Sequence, residues 1–172
     1  MITIVPYDSE WPARFAAEAV VIRQTLGDAA LRIEHVGSTS VPGLAAKPVI
    51  DIQVSVPSLE PLSHHLVPLG RAGYTHVPLG AFDLVYPFFQ KPDEWPSTHH
   101  IHLCVVGSEE ERNHLAFRDY LRTHPVVAGE YVELKRELAA VHHGMTLESR
   151  ERYSLAKPAF VTSVLERALA DG

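Results

Sequence analysis

Residues 31–56, LRIEHVGSTSVPGLAAKPVIDIQVSV, decide the fold. The first six, LRIEHV (31–36), read as a strand that runs into GSTSVPG, whose glycines and proline bar regular structure. Over residues 48–56 the chain alternates strictly. Val49, Asp51, Gln53 and Ser55 share one face, and Ile50, Ile52, Val54 and Val56 share the other. An apolar face opposite a mostly polar one is the pattern of a sheet with helices on one side only.

The flanks extend this pattern. Residues 10–26 read as a helix: Pro12 suits its first turn, Trp11, Phe15, Ile22 and Leu26 recur at helical spacing, and Gly27 can end it. Residues 58–70 read as a short helix capped by Ser58 and stopped by Gly70. Strands are predicted at 74–78 and at the aromatic run 82–90, and KPDEWPST (91–98) is a loop. Residues 98–106 (THHIHLCVV) alternate again, with Ile101, Leu103 and Val105 on one face and His100, His102 and Cys104 on the other. Ser108 and Glu111 have capping-box spacing at the start of a helix reaching about 122. A further helix over 126–143 stops at Gly144, and 148–170 is helical with a break or kink predicted at Pro158. A mixed sheet, then a helical third, with neither linker nor repeat between them, make residues 1–172 a single α+β domain.

Composition narrows the function. With 46% apolar and 21% charged residues, the chain of 172 can bury a full core without staples. A net charge of −6 argues against indiscriminate binding of nucleic acid or an anionic membrane, which needs clustered Lys and Arg. Cys104 is the only cysteine, so neither an internal disulfide nor a Cys-rich zinc module can form. No apolar run approaches the roughly 18–20 residues of a membrane span. MITIVPYDSEW lacks the pattern of a secretory signal, so a cytoplasmic protein is expected.

The chemistry concentrates around the Gly-Ser turn. Gly37 permits close backbone approach, and Ser38, Thr39 and Ser40 add donors that suit phosphate oxygens. Lys47 supplies positive charge nearby, and a carboxylate on the adjacent strand, Asp51, can hold a divalent cation bridging phosphates. The plain alternative is a tight polar turn beside a strand-end Asp. The pleat directs Asp51, Gln53, His100 and His102 to one open side. Glu34 joins them by the alternation of Arg32 and Glu34, and His35 points away. Two histidines two apart, with one or two carboxylates, suit Zn, Mn or Ni better than Mg; without a metal they make a hydrogen-bonded polar face. His64-His65 and His142-His143 are read as solvated, His99 as facing away from His100, and His124 as a cap for the helix after it. Phe117, Tyr120, Leu121, Leu134 and Leu138 are read as core, and Cys104 as a small buried residue.

IEHVGSTSVPGLAAKPVIDIQV, followed by HIHL, FRDYLRTHP, YVELK and Tyr153-x-x-x-Lys157, resembles the GrpB family, from VPYDSEW to the last helix. That family is grouped with the nucleotidyltransferase superfamily, on the polymerase-beta-like fold. The resemblance implies a nucleotidyltransferase-like mixed sheet with helices on one face. It also implies binding of a nucleoside triphosphate or other phosphorylated small molecule with a divalent metal, Mg or Mn, and transfer of a nucleotidyl group to a small acceptor. Gly37-Ser38 match the superfamily's Gly-Ser pair and Asp51 its first acid, followed by Ile52. Gln53 stands where a second acid is expected, and His100 and His102 stand where the later strand carries a third. Glu34 is then the remaining acid to deprotonate an acceptor. Helices beside the sheet help hold nucleotide in this superfamily, which makes Arg118, Lys135 and Lys157 candidate ligands, alongside Arg122, Tyr131 and Tyr153 at the same i, i+4 spacings. Surface ion pairs are the alternative for each. Gln53 favours a second function, a non-catalytic ligand-binding or accessory module, and the resemblance to domains fused behind dephospho-CoA kinase implies a role in assisting folding. His100-x-His102 admits a third, a His/Asp metal-dependent phosphohydrolase.

Overall fold

A computed structural model describes residues 3–94, 96–141 and 147–170, with the side chains of 141–157 outside the description. Five strands, β1 (Arg32–Val36), β2 (Ile50–Val56), β3 (Thr75–Val77), β4 (Phe88–Lys91) and β5 (His99–Val105), form one sheet in the order β1-β2-β5-β4-β3. β2 and β5 run parallel and the other neighbours are antiparallel, so the sheet is mixed as expected. The helices are α1 (Trp11–Leu26), α2 (Ser63–Arg71), α3 (Glu109–Thr123), α4 (Pro125–Val141) and α5 (Leu147–Ala170). Among the described residues, no helix is long and apolar enough to cross a membrane.

The alternation in β2 and β5 sets the two faces. Ile50, Ile52, Val54, Ile101 and Leu103 are buried together with Trp11, Ile22 and Leu26 of α1 and Leu69 of α2. Each such side chain contributes roughly 1.5–3 kcal/mol of burial. A second apolar cluster joins Val41, Leu44 and Ala45, just after the Gly-Ser turn, to Leu121 of α3 and to Ala128, Tyr131 and Val132 of α4. The helical third therefore packs on the loop that follows β1.

The polar face is open only at one end. Ser108 caps α3, its Oγ accepting from the Glu111 amide at 3.3 Å. The Glu111 carboxylate accepts from the Gly107 amide and from Ser55 Oγ, and its backbone carbonyl accepts from Gln53 Nε2 at 3.3 Å. Gln53, Ser55 and Cys104 are consequently buried, while Asp51, two residues earlier on the same face, stays partly exposed.

Several elements differ from the sequence reading. Residues 82–90 are not one strand: a 3-10 turn spans Gly80–Leu84, and β4 begins only at Phe88. Phe82 and Leu84 are exposed, so the start of the aromatic run packs no buried face, and Pro87 lacks an amide donor for a ladder. Ser58 does not cap α2; its Oγ accepts from the Glu60 amide at 3.1 Å in a local turn, and the helix starts at Ser63. His65 is buried, donating through Nε2 to the Ser58 carbonyl at 2.8 Å, whereas His64 is exposed as expected. His124 closes α3 rather than capping α4: its Nδ1 donates to the Tyr120 carbonyl at 2.9 Å and its ring stacks on Tyr120. α5 runs through Pro158 without interruption, since a proline removes one backbone bond while the rest of a long helix persists. His142, His143 and Gly144 lie outside the described residues.

Candidate functional site

Gly37 ends β1 with φ of +70°, a region that favours glycine. A Cβ there would lie 2.6 Å from Asp51 Oδ2, so glycine lets the Ser38–Ser40 turn approach the carboxylate. The turn is fastened from behind. Thr39 Oγ1 donates to the Val49 carbonyl at 3.1 Å, which leaves it to accept from His35 Nε2 at 2.9 Å. The His35 ring stacks on Phe15, with centroids 4.8 Å apart. Burial pushes the His35 pKa down to about 4; Asp51 opposes this and Arg122 and Arg118 add to it, so the ring is neutral at pH 7. Arg122 donates through Nε and Nη2 to the Ser40 carbonyl, at 3.0 and 2.9 Å.

Lys135 reaches the turn from α4. Its side chain is 2% exposed and its Nζ donates to Ser38 Oγ at 3.0 Å and to the Ala45 carbonyl at 2.8 Å. Tyr131, one turn earlier on α4, lies under the ammonium with its ring centroid 4.9 Å away. Ser38, Thr39, Lys47, Asp51, His100 and Lys135 line a pocket of about 210 Å³.

Asp51 sits at its floor. Register pairs it with His100 on β5, and pairs Gln53 with His102. Asp51 Oδ1 accepts from His100 Nδ1 at 3.1 Å and lies 3.6 Å from His102 Nε2. Burial pushes this carboxyl up, but the hydrogen bonds and charge of the two histidines outweigh it and hold the group well below the usual carboxylate range. His100 Nε2 lies 2.7 Å from Ser97 Oγ. His102 stands off the pocket wall. Its ring stacks on Tyr86 at 4.8 Å, and Tyr86 stacks in turn on His114 at 4.2 Å. The Tyr86 hydroxyl donates to Gln53 Oε1 at 2.9 Å, so both ends of the Gln53 amide are bonded within the protein.

The structure thus gathers Ser38, Thr39, Lys47, Asp51, His100 and Lys135 around one concavity, with Gly37 packed against Asp51 and His102 beside it. It separates Glu34 and Arg118 from them. Arg118 Nη1 bonds Glu34 at 2.7 Å and the His35 carbonyl at 3.0 Å, and its Nε bonds Asp119 at 2.8 Å. This pair braces β1 against α3. The Lys157 and Tyr153 side chains lie outside the described residues. Ser97 and Tyr86 were not singled out in the sequence, because a loop serine and one tyrosine in an aromatic run carry no periodic signal.

The donor set does not fit a resident metal centre of the kind the fold family uses. Among the described residues, no group of three or more His, Cys, Asp or Glu side chains is arranged to hold a metal ion. Asp51 Oδ1 is shared between two imidazoles, the second nitrogen of His100 is bonded to Ser97, and Glu34 is paired with Arg118.

Residues 1–167 match the family described as GrpB protein. The UPF0157 protein YqkA of Bacillus subtilis is 36% identical over 97% of this chain and 47% of its own, so the chain spans about half the length of that relative. The crystal structure of conserved protein GrpB from Enterococcus faecalis superposes with a TM-score of 0.84 at 35% identity, over 98% of each chain. The Cid1 poly(U) polymerase bound to magnesium and 3'-dATP shares the fold alone, with a TM-score of 0.52 and 15% identity over 80% of this chain and 43% of its own. With its match running almost from end to end, the chain belongs to the GrpB family and carries a nucleotidyltransferase-like fold.

Proposed function

We propose that the chain acts as one domain that binds a phosphorylated small molecule, a nucleoside triphosphate above all, in the pocket between the Ser38 turn and α4. The observation that carries this reading is Lys135, a buried ammonium delivered from α4 to Ser38 Oγ on the pocket wall. Burying a cation is costly unless it is paired and hydrogen-bonded, and Lys135 Nζ donates both to Ser38 Oγ and to the Ala45 carbonyl. Here Lys135 and Lys47 set two positive charges on one small pocket of a protein whose net charge is −6. The Ser38 and Thr39 hydroxyls add polar contacts suited to phosphate oxygens. A cytoplasmic nucleotide pool is the matching source, and neither a membrane nor a nucleic acid fits so small a pocket.

Binding is better supported than transfer through paired carboxylates. Gln53 is committed to Tyr86 and Glu111, and Glu34 to Arg118. Those same bonds favour a second reading, an accessory module that binds its ligand without turning it over. Calorimetry with the four nucleoside triphosphates, with and without Mg²⁺, tests the first reading. Saturable heat at submillimolar ligand is expected, and no heat at several millimolar refutes it.

A further inference from the structure

Part of the pocket wall comes from a stretch of chain that carries no motif. Ile4 lines the pocket together with Ala46 and Val49, so an apolar surface borders the same space as Ser38, Lys47 and Lys135. The chain around Ile4 fixes its place. Outside the five-stranded sheet, Val5 and Ala46 exchange both backbone hydrogen bonds, from Val5 N to the Ala46 carbonyl at 2.9 Å and from Ala46 N to the Val5 carbonyl at 3.0 Å. Just beyond, Tyr7 sets its ring edge-on to Trp11 of α1, with centroids 5.3 Å apart. Successive side chains of an extended segment point to opposite sides, and here Val5 packs against the first apolar cluster and Ile4 against the second. Ile4 is only half-buried, which leaves part of its side chain to meet a ligand. The stretch it pairs with also places the cations: the Ala45 carbonyl accepts from Lys135 Nζ at 2.8 Å, and Lys47 follows Ala46. Charge and apolar surface are thus set side by side along residues 45–49.

We infer that Ile4 is a specificity-determining residue of this pocket, selecting an organic phosphate whose carbon skeleton packs on Ile4, Ala46 and Val49 while its phosphate oxygens meet the lysines. The inference rests on the phosphate-binding reading and narrows it. An inorganic phosphate chain satisfies the polar groups and leaves the apolar wall in water. A nucleoside triphosphate covers that wall with the C–H face of its sugar, the apolar surface nearest its phosphates. Covering apolar area is favourable in proportion to the area removed from water, so the Ile4 side chain sets how far the organic ligand is preferred. An Ile4 that served the fold alone would affect every ligand alike.

The test is calorimetry of the full chain with the four nucleoside triphosphates and with inorganic tripolyphosphate in one buffer, repeated on Ile4→Ala. The best-bound nucleoside triphosphate is expected to bind the wild type about tenfold or more tightly than tripolyphosphate does. Ile4→Ala should lower the affinity for that nucleotide about tenfold and leave the affinity for tripolyphosphate within about twofold. Tripolyphosphate binding to the wild type as tightly as any nucleotide, or more tightly, overturns the inference and leaves the phosphate-binding reading standing. That comparison needs no variant, so it decides even where Ile4→Ala fails to fold. A folded Ile4→Ala protein that loses both kinds of ligand alike, or neither, also overturns it. Absence of heat from every ligand overturns the inference and the binding reading together.

Discussion

His35 makes the Thr39 clamp a pH-dependent contributor to stability, and the size of the effect follows from its surroundings. The ring is 7% exposed, and its pKa falls from the ordinary 6.5 to about 4 in the folded protein. Between those values the unfolded chain binds more protons than the folded one. Stability therefore declines as pH drops through about 6.5, and the loss levels off below about 4. At about 1.4 kcal/mol for each pH unit separating the two states, the full loss approaches about 3 kcal/mol, and about 2 kcal/mol of it is already felt at pH ~5. His35→Gln keeps an N–H donor that can reach Thr39 but does not titrate. Urea unfolding of both proteins at pH ~7.5 and pH ~5 isolates the ring, because carboxylates common to both cancel in the difference. The wild type should lose about 2 kcal/mol more than the variant on going to the lower pH. Equal losses, within about 0.5 kcal/mol, would show that His35 does not fold as a neutral donor and would refute the account of the clamp.

Other positions give independent checks. Gly37→Ala forces an alanine to φ of +70° with its Cβ 2.6 Å from Asp51 Oδ2; thermal unfolding should show a loss of about 2 kcal/mol or more. Lys135→Met keeps the length of the side chain and removes its charge. Triphosphate affinity should fall at least tenfold by calorimetry, about 1.4 kcal/mol. Glu111→Ala strips the acceptor from Ser55 Oγ and the Gly107 amide; chemical denaturation should register roughly 2–4 kcal/mol of lost stability.

The strict alternation at 48–56 and 98–106 was enough to place Asp51 and His100 on one face and the isoleucines on the other. Cross-strand register then made the two neighbours. What alternation could not supply is the cover. Ser55 and Gln53 are polar and yet fully buried, because Glu111, far along the chain, bonds both of them. A polar residue on a strand face is solvated or internally satisfied, and its own sequence does not distinguish the two. The same limit applies to the helical third. The i, i+4 spacing of Arg118 with Arg122 and of Tyr131 with Lys135 fixes which side chains share a helix face, but not what that face meets. Lys135 meets Ser38 on the pocket wall, whereas Arg118 meets Glu34 and the His35 carbonyl behind it. At 82–90 the aromatic run misled outright, since Phe82 and Leu84 are exposed in a 3-10 turn.

The second acid position carries the functional argument furthest. Gln53 uses its amide nitrogen as a donor to the Glu111 carbonyl and its amide oxygen as an acceptor from the Tyr86 hydroxyl. An ionised carboxylate there could meet only the second demand, would leave the Glu111 carbonyl without that donor, and would place a charge at a site with no exposure. The neutral amide is therefore required by the packing of α3 and by the Tyr86 stack. Two residues earlier on the same strand Asp51 is partly exposed, and there it meets His100 on a pocket wall that Ser38, Lys47 and Lys135 also form. Along β2 the polar face thus divides its work over a few ångströms: one end anchors a helix and the other keeps a single carboxylate, oriented by histidines, beside two lysines. A division of that kind concentrates whatever chemistry the fold retains on Asp51 and the groups bonded to it.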